Sequence, residues 1–207
     1  KQDSKIANGW LLINELGCFQ CHANAPTTLS KLPHFDAPDL TQTPSRLTSE
    51  FVYQFIQNPN HSHPGTRMPS VMEHLTADQK AETAHHITAY LWYSSTIKNA
   101  DLSRTRNAPQ TQIKKGRDLF TSIGCAACHP LLEAVQEDTS GSLAHVKNKY
   151  HYSGLQKFLL RPQSARKGYR MPDFNLNETE ASNLTSYLLG TKPSTRRAPN
   201  FLGDPEK

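Results

Sequence analysis

Two five-residue stretches of the chain place two thiols and an imidazole at the same spacing. One is Cys-Phe-Gln-Cys-His at residues 18–22, and the other is Cys-Ala-Ala-Cys-His at residues 125–129. A thiol can add across a vinyl group to form a thioether, and two intervening residues let both sulfurs reach the vinyls on one edge of a porphyrin. The spacing therefore predicts two covalent attachment sites for c-type haem. The predicted thioether donors are all the cysteines of the chain: Cys18, Cys21, Cys125 and Cys128.

The histidine that follows the second cysteine is carried beneath the ring, where its imidazole can ligate the iron. His22 and His129 are therefore the predicted proximal ligands. Two plain Cys-x-x-Cys pairs could instead form redox disulfides or one four-cysteine zinc site. A zinc site would have to close a loop of 107 residues. A thioredoxin-like centre would follow a strand, which the sequence pattern does not indicate.

Two of the three methionines occur in identical Arg-Met-Pro settings, each downstream of a haem motif. Met68 and Met171 are 103 residues apart, and a thioether sulfur is a soft ligand suited to haem iron. They are the predicted distal ligands, with Met72 as the alternative for the first haem. Methionine more commonly fills a hydrophobic core, and the doubled setting is what favours ligation.

The repeat extends beyond the two haem motifs. Pairs that share the 107-residue offset of the cysteines are Ile6 and Ile113, Gly9 and Gly116, Leu12 and Leu119, and Gly17 and Gly124. The apolar periodicity predicts helices over 6–17 and 113–124. The predicted organisation is a first domain (1–98), a linker (99–112), a second domain (113–190) and a C-terminal tail (191–207).

The remaining elements follow the same order in both copies. A proline-rich loop over 23–44 comes after the first haem motif, and the loop after the second motif is four residues shorter. A short amphipathic helix then ends before Pro59 and again before Pro162. Each copy closes with a helix capped at Thr76 or Asn177, the first with a capping box and longer by about one turn.

Composition narrows the classes of partner. Of 207 residues, only 36% are hydrophobic, which is lean for two small cores, and a covalent haem would supply apolar volume to each. The net charge of +5 comes from scattered Lys and Arg residues. An acidic redox protein is therefore the expected partner, and nucleic acid is not. The apolar runs, such as residues 10–13, are no longer than five residues, far short of a membrane span.

The order of helix, haem motif, loop, short helix, methionine loop and terminal helix resembles that of the small all-α class I cytochromes c. The resemblance covers nearly the full length of both copies and implies two tandem class I cytochrome c-like domains, each wrapped around one covalent haem. In that family a glycine and an aromatic residue meet where the first and last helices cross. The matching positions are Gly9, Ile13 and Tyr90 in the first copy and Gly116, Phe120 and Tyr187 in the second. The isoleucine departs from the usual aromatic.

The resemblance implies one-electron transfer between transient protein partners through two His/Met-ligated haems, which leave no open iron position for a substrate. The chain could be a free carrier, or an electron-entry domain attached to or docking on a larger redox protein. Haem attachment of this kind takes place outside the bacterial cytoplasm. A periplasmic or otherwise extracytoplasmic location is therefore expected, with the signal peptide absent from this numbering, and Lys1 in place of a Met start agrees.

Enzymatic and sensory alternatives stay open. A di-haem peroxidase needs an accessible iron and generally a larger chain, a thiosulfate-oxidising cytochrome needs a fifth cysteine, and a gas sensor needs a labile methionine. Five histidines from His61 to His86 could replace methionine or bind a further metal, although a solvated face is the simpler interpretation. Arg67 and Arg170 could pair with haem propionates.

Overall fold

The structure is a computed structural model. It describes residues 2–18, 21–22, 37–95, 108–134, 141–165 and 171–190. Across these residues the chain is mostly helical and contains no strand, which agrees with the predicted all-α class. The described chain forms two compact units, one within residues 2–95 and one within residues 108–190.

The first unit has five α-helices in its described residues. They are α1 (Gln2–Glu15), α2 (Thr43–Arg46), α3 (Ser49–Gln57), α4 (Pro59–Ser62) and α5 (Ala77–Ser94). A 3-10 turn at Leu40–Gln42 leads into α2, so the end of the stretch predicted as loop is helical. Helix α5 packs against α1 and α3. The core between them is made of Ile13, Phe51, Val52, Ile56, Met72, Ala84, Ile87 and Leu91.

The crossing of α1 and α5 depends on Gly9. A Cβ at this position would lie 2.6 Å from the Cβ of Tyr90 and would collide with the carbonyl oxygen of His86. Only glycine therefore lets the two backbones approach so closely. The predicted meeting of Gly9 and Tyr90 is confirmed, and Ile13, one turn further along α1, is buried in the core.

The second unit also has five α-helices in its described residues. They are α6 (Gln110–Ser122), α7 (Val146–Lys149), α8 (Tyr152–Leu160), α9 (Pro162–Ala165) and α10 (Glu178–Leu189). Two 3-10 turns, Cys125–Ala127 and Leu132–Ala134, follow α6. Helix α10 packs against α6 and α8. The Tyr152 hydroxyl lies 2.7 Å from Oγ of Ser182 and ties α8 to α10.

The crossing of α6 and α10 repeats the glycine contact. A Cβ at Gly116 would lie 2.8 Å from the Cβ of Tyr187 and would collide with the carbonyl oxygen of Asn183. The rings of Phe120 and Tyr187 meet edge to face, with centroids 5.5 Å apart and planes at 62°. Such a pair stabilises the crossing by more than the burial of its apolar surface alone provides. The predicted contact is confirmed, and an aromatic ring here takes the place of Ile13.

The prolines predicted to end the short helices also begin new ones. Helix α3 ends at Gln57 and Pro59 is the first residue of α4, while α8 ends at Leu160 and Pro162 is the first residue of α9. Proline is tolerated there because an N–H at the first helical position has no intrahelical partner. Each short helix therefore ends before its proline, as predicted, and a further helical turn begins at the proline.

Both terminal helices begin with a capping box. The Gln79 N–H donates to Thr76 Oγ1 at 3.3 Å and the Thr76 N–H donates to Gln79 Oε1 at 3.0 Å. Asn177 and Glu180 make the same reciprocal pair at 3.0 Å in both directions, although the sequence indicated the box only in the first copy. Helix α5 has 18 residues and α10 has 12, so the longer first helix is confirmed.

Helices α1 and α6 begin earlier than their apolar periodicity indicates. They start at Gln2 and Gln110, because a polar first turn carries no periodic signal. Residues 110–112, which the sequence assigned to the linker, are therefore helical. The linker residues 99–107 and the tail 191–207 lie outside the described residues. No helix in the described ranges is long and apolar enough to cross a membrane.

Candidate haem sites

The first haem motif folds into a tight turn directly after α1. The backbone N–H groups of Cys21 and His22 donate to the carbonyl of Cys18 at 3.2 and 3.0 Å. The His22 ring then lies with Nδ1 2.7 Å from the carbonyl oxygen of Pro38. Because a carbonyl can only accept, Nδ1 carries the proton and Nε2 keeps its lone pair free for a metal.

The second haem motif folds into the same turn after α6. The N–H groups of Cys128 and His129 donate to the carbonyl of Cys125 at 3.2 and 3.0 Å. Nδ1 of His129 donates to the carbonyl of Gly141 at 2.8 Å. The two units therefore leave the same imidazole atom, Nε2, available for ligation.

The positions of the carbonyl acceptors show where the loop after the second haem motif is shorter than the loop after the first. His22 and Pro38 are 16 residues apart, whereas His129 and Gly141 are 12 apart. The four-residue difference between the copies therefore lies wholly between histidine and acceptor. Pro38 and Gly141 were missed in the sequence, although they share the 103-residue offset of the Arg-Met-Pro loops. That offset was the signal that could have found them.

The backbone conformation and the packing at position 141 require a glycine. Its φ is +79°, and a Cβ would lie 2.5 Å from the carbonyl oxygen of Cys128. A side chain would therefore be strained by backbone conformation and by contact at once. The backbone here returns against the haem motif, and this close approach brings the acceptor to His129.

The environment of the thiols and of His22 agrees with covalent attachment. All four cysteines are free thiols, so no disulfide competes for them. Burial raises the pKa of Cys18 and of Cys125, which keeps both as thiols. Burial lowers the pKa of His22, opposed in part by its bond to Pro38 and by the charge of Asp39. The imidazole is therefore neutral, the form that ligates iron.

The three methionines differ in burial. Met68 is half-buried, and its N–H donates to Thr66 Oγ1 at 3.2 Å. Met171 is also half-buried, and its carbonyl accepts from Gln163 Nε2 at 3.3 Å. Met72, by contrast, is 1% exposed within the apolar core of the first unit. Core packing therefore accounts for Met72, while ligation by Met68 and Met171 stays a prediction.

The histidine-rich stretch and the two arginines gain no role from the structure. His61 and His74 are exposed, and the rings of His85 and His86 are 6.1 Å apart at 74°. No group of three or more His, Cys, Asp or Glu side chains is arranged to hold a metal ion among the described residues. Arg67 is exposed, and Arg170 lies outside those residues.

The donor sets fit c-type haem. Each unit supplies two free thiols on one turn and a histidine whose Nδ1 is tied to a backbone carbonyl. Such an anchored imidazole has a fixed tautomer and ring orientation, as metal-binding histidines generally do. The predicted thioether donors and proximal ligands therefore come together within each unit.

Comparison with known families bears on the second unit. Residues 113–192 match the family model for cytochrome c. The match supports a class I cytochrome c in this part of the chain. It implies covalently bound c-type haem with its iron, and it supports haem-based electron transfer. Residues 1–112 lie outside the match. No curated protein and no solved structure matches the chain.

Proposed function

We propose that the chain is a di-haem c-type cytochrome that carries single electrons between redox partners, with one haem in each unit. The observation that carries the proposal is the repeated bond from histidine Nδ1 to a backbone carbonyl, to Pro38 in the first unit and to Gly141 in the second. This bond orients an imidazole toward a metal, and it occurs twice beside a pair of free thiols.

The residues that would hold each haem have separate tasks. The cysteines provide covalent attachment, the proximal histidines provide neutral nitrogen, and the methionines of the Arg-Met-Pro loops provide soft sulfur. When bound, the haem supplies an iron that changes between ferrous and ferric states. Both axial positions would then be filled by protein, which leaves none for a substrate. The ligand set is His22 and Met68 in the first unit and His129 and Met171 in the second.

The haem assignment of the first unit rests on different observations from that of the second. The family match covers the second unit alone. The first shares the motif turn, the anchored histidine and the glycine crossing of the terminal helices. The second unit has the same three features, and we extend the haem assignment to the first unit on that ground.

The charge distribution supports an acidic protein as one redox partner. Residues 1–100 carry seven Lys and Arg against eight Asp and Glu, whereas residues 101–196 carry fourteen against eight. The basic excess therefore belongs to the second unit, and we place the docking of an acidic partner there. Docking would be brief and electrostatically steered, as electron-transfer encounters generally are. We also propose an extracytoplasmic location, since thioether haem attachment takes place there.

Optical redox titration with carbon monoxide as a probe tests the proposal. The holoprotein should take up two electrons per chain in one-electron steps, and its reduced form should not bind carbon monoxide at neutral pH. Binding of carbon monoxide to either reduced haem would contradict a closed carrier. It would favour an enzyme or a gas sensor with an open iron position.

A further inference from the structure

A hydrogen-bonded cluster in the second unit lies beside the haem motif but takes no part in ligation. The Tyr187 hydroxyl donates to Oε2 of Glu133 at 3.1 Å and accepts the N–H of Leu132 at 3.3 Å. The other carboxylate oxygen of Glu133 lies 3.5 Å from Nε of Arg117. We call Arg117, Glu133 and Tyr187 the tyrosine clamp.

The tyrosine clamp joins three elements that the sequence places far apart. Arg117 belongs to α6, Tyr187 belongs to α10, and Glu133 lies in the 3-10 turn that begins three residues after His129. Tyr187 also stands at the helix crossing, where its ring contacts Phe120. The clamp therefore holds the chain just beyond the proximal histidine against the closely packed crossing of α6 and α10.

The hydroxyl is the central group of the clamp. Arg117 and Glu133 are each about half exposed, at 54% and 52%, and an ion pair so exposed contributes little. Tyr187 is buried at 4% exposure. Burial is the largest of the effects that together raise the pKa of Tyr187, so its hydroxyl is protonated and able to donate at neutral pH.

The sequence of the first unit does not repeat the residue types of the clamp. Its tyrosine is present as Tyr90, but the position that matches Arg117 holds Trp10, which is 51% exposed. Residues 23–35, which follow the first haem motif, contain no Asp or Glu. The sequence of the first unit therefore does not repeat the arginine and the glutamate that flank the tyrosine hydroxyl in the second.

We propose that Tyr187 is a positioning residue for the haem of the second unit. Its hydroxyl holds the 3-10 turn Leu132–Ala134 in place, and that turn limits how far the backbone of His129 can move. The bond from Nδ1 of His129 to the carbonyl of Gly141 restrains the ring itself. Together they set the orientation of the proximal imidazole, which tunes the reduction potential of a bound haem. The inference rests on the proposed presence of a haem in this unit.

The test compares Tyr187→Phe with Tyr90→Phe in the full-length holoprotein. Tyr187→Phe keeps the ring against Phe120 and removes only the hydroxyl. In the reduced protein, NMR should show the Leu132 amide exchanging about fivefold faster, the factor expected for one lost hydrogen bond. The His129 Nδ1 proton should also exchange faster, and the potential of the second haem should shift. Tyr90→Phe should change none of these quantities.

Each outcome decides the matter. Faster exchange at Leu132 with an unchanged potential and an unchanged His129 proton would show a purely structural contact and overturn the proposal. No change at Leu132 would show that the clamp does not form. If Tyr187→Phe does not fold, Glu133→Ala should give the potential shift and Glu133→Gln should restore most of the original value. Absence of haem from the wild-type second unit would instead refute the proposed function.

Discussion

The two units arrange their candidate haem-binding residues in the same way and differ in the side chains around them. Both form the motif turn, anchor the histidine through Nδ1, and cross their terminal helices at a glycine. The acceptor is Pro38 in one unit and Gly141 in the other. The features that both units keep are those needed to hold a cofactor, which supports one haem in each.

The differences lie at the surface and in the contacts made by the segment that follows the proximal histidine. Trp10, Leu11 and Tyr93 are exposed on the first unit, whereas the positions that match the first two hold Arg117 and Asp118 in the second. The second unit is also the basic one and has the tyrosine clamp. The two candidate haem sites therefore lie in different electrostatic and mechanical surroundings, so the redox properties of haems bound there should differ.

The largest expected effect comes from removing one proximal ligand. His129→Ala should cost the second haem its axial nitrogen and convert that haem's spectrum from low spin to high spin, while the first haem keeps its signal. His22→Ala is the matched control and should give the reverse. Optical and paramagnetic resonance spectra of the ferric protein would measure both. Equal loss of both signals in either variant would show that the units do not hold their cofactors independently.

Replacing a methionine tests the predicted distal ligand of each unit. Met68→Ala should remove about half of the near-infrared sulfur-to-iron band, lower the potential of the first haem and open its iron to carbon monoxide, because a ligand that favours ferrous iron is lost. Met171→Ala should do the same to the second haem.

Met72→Ala is the control for Met68→Ala. It should leave the near-infrared band intact but lower the free energy of unfolding of the first unit by about 2–5 kcal/mol, because its side chain is buried in the core. An intact band in Met68→Ala together with a weakened band in Met72→Ala would reverse this assignment.

Gly141→Ala tests the acceptor of the second histidine. Its positive φ and its contact with Cys128 should together lower the free energy of unfolding by about 2–4 kcal/mol and loosen the bond to His129. Gly65→Ala is a matched control, since Gly65 has φ +77° but open space around it. It should cost only about 1–2 kcal/mol. Equal losses in thermal or denaturant unfolding would mean that the close approach does not matter.

The smallest expected effect is a pH dependence confined to the first unit. Burial, Lys5 and His86 lower the pKa of His85, so the unfolded chain takes up a proton there more readily than the folded chain. The first unit should therefore lose stability as the pH falls below about 6.5, the ordinary histidine pKa. His85→Gln should reduce that loss between pH 7 and pH 5, measured by thermal unfolding. The matching position in the second unit is Ser182, and a similar response there would contradict the cause given.

The sequence predicted the features that the two copies repeat. Equal offsets identified the two haem motifs and the paired glycines, because these are particular residue types at fixed spacing, and the family resemblance implied the two glycine crossings. The sequence placed the ends of the short helices at Pro59 and Pro162 but did not predict the helical turns that follow. Helix starts were displaced toward the first apolar residue, since polar first turns show no periodicity.

Apart from the two glycine crossings, the sequence did not predict the contacts that join distant segments. The carbonyl acceptors Pro38 and Gly141 use backbone atoms, which leave no mark on residue type apart from the glycine itself. The tyrosine clamp depends on a hydroxyl 54 residues from its carboxylate partner. Such pairs are decided by packing, and only the folded chain brings them together.

Haem stoichiometry tests the central claim most directly. Intact mass spectrometry of the holoprotein after acid-acetone extraction should show two haems still attached to one chain. Proteolysis should then assign one haem to the peptide with residues 18–22 and the other to the peptide with residues 125–129. A single haem confined to the second peptide, or haem removed by the extraction, would contradict the account of two equivalent covalent centres.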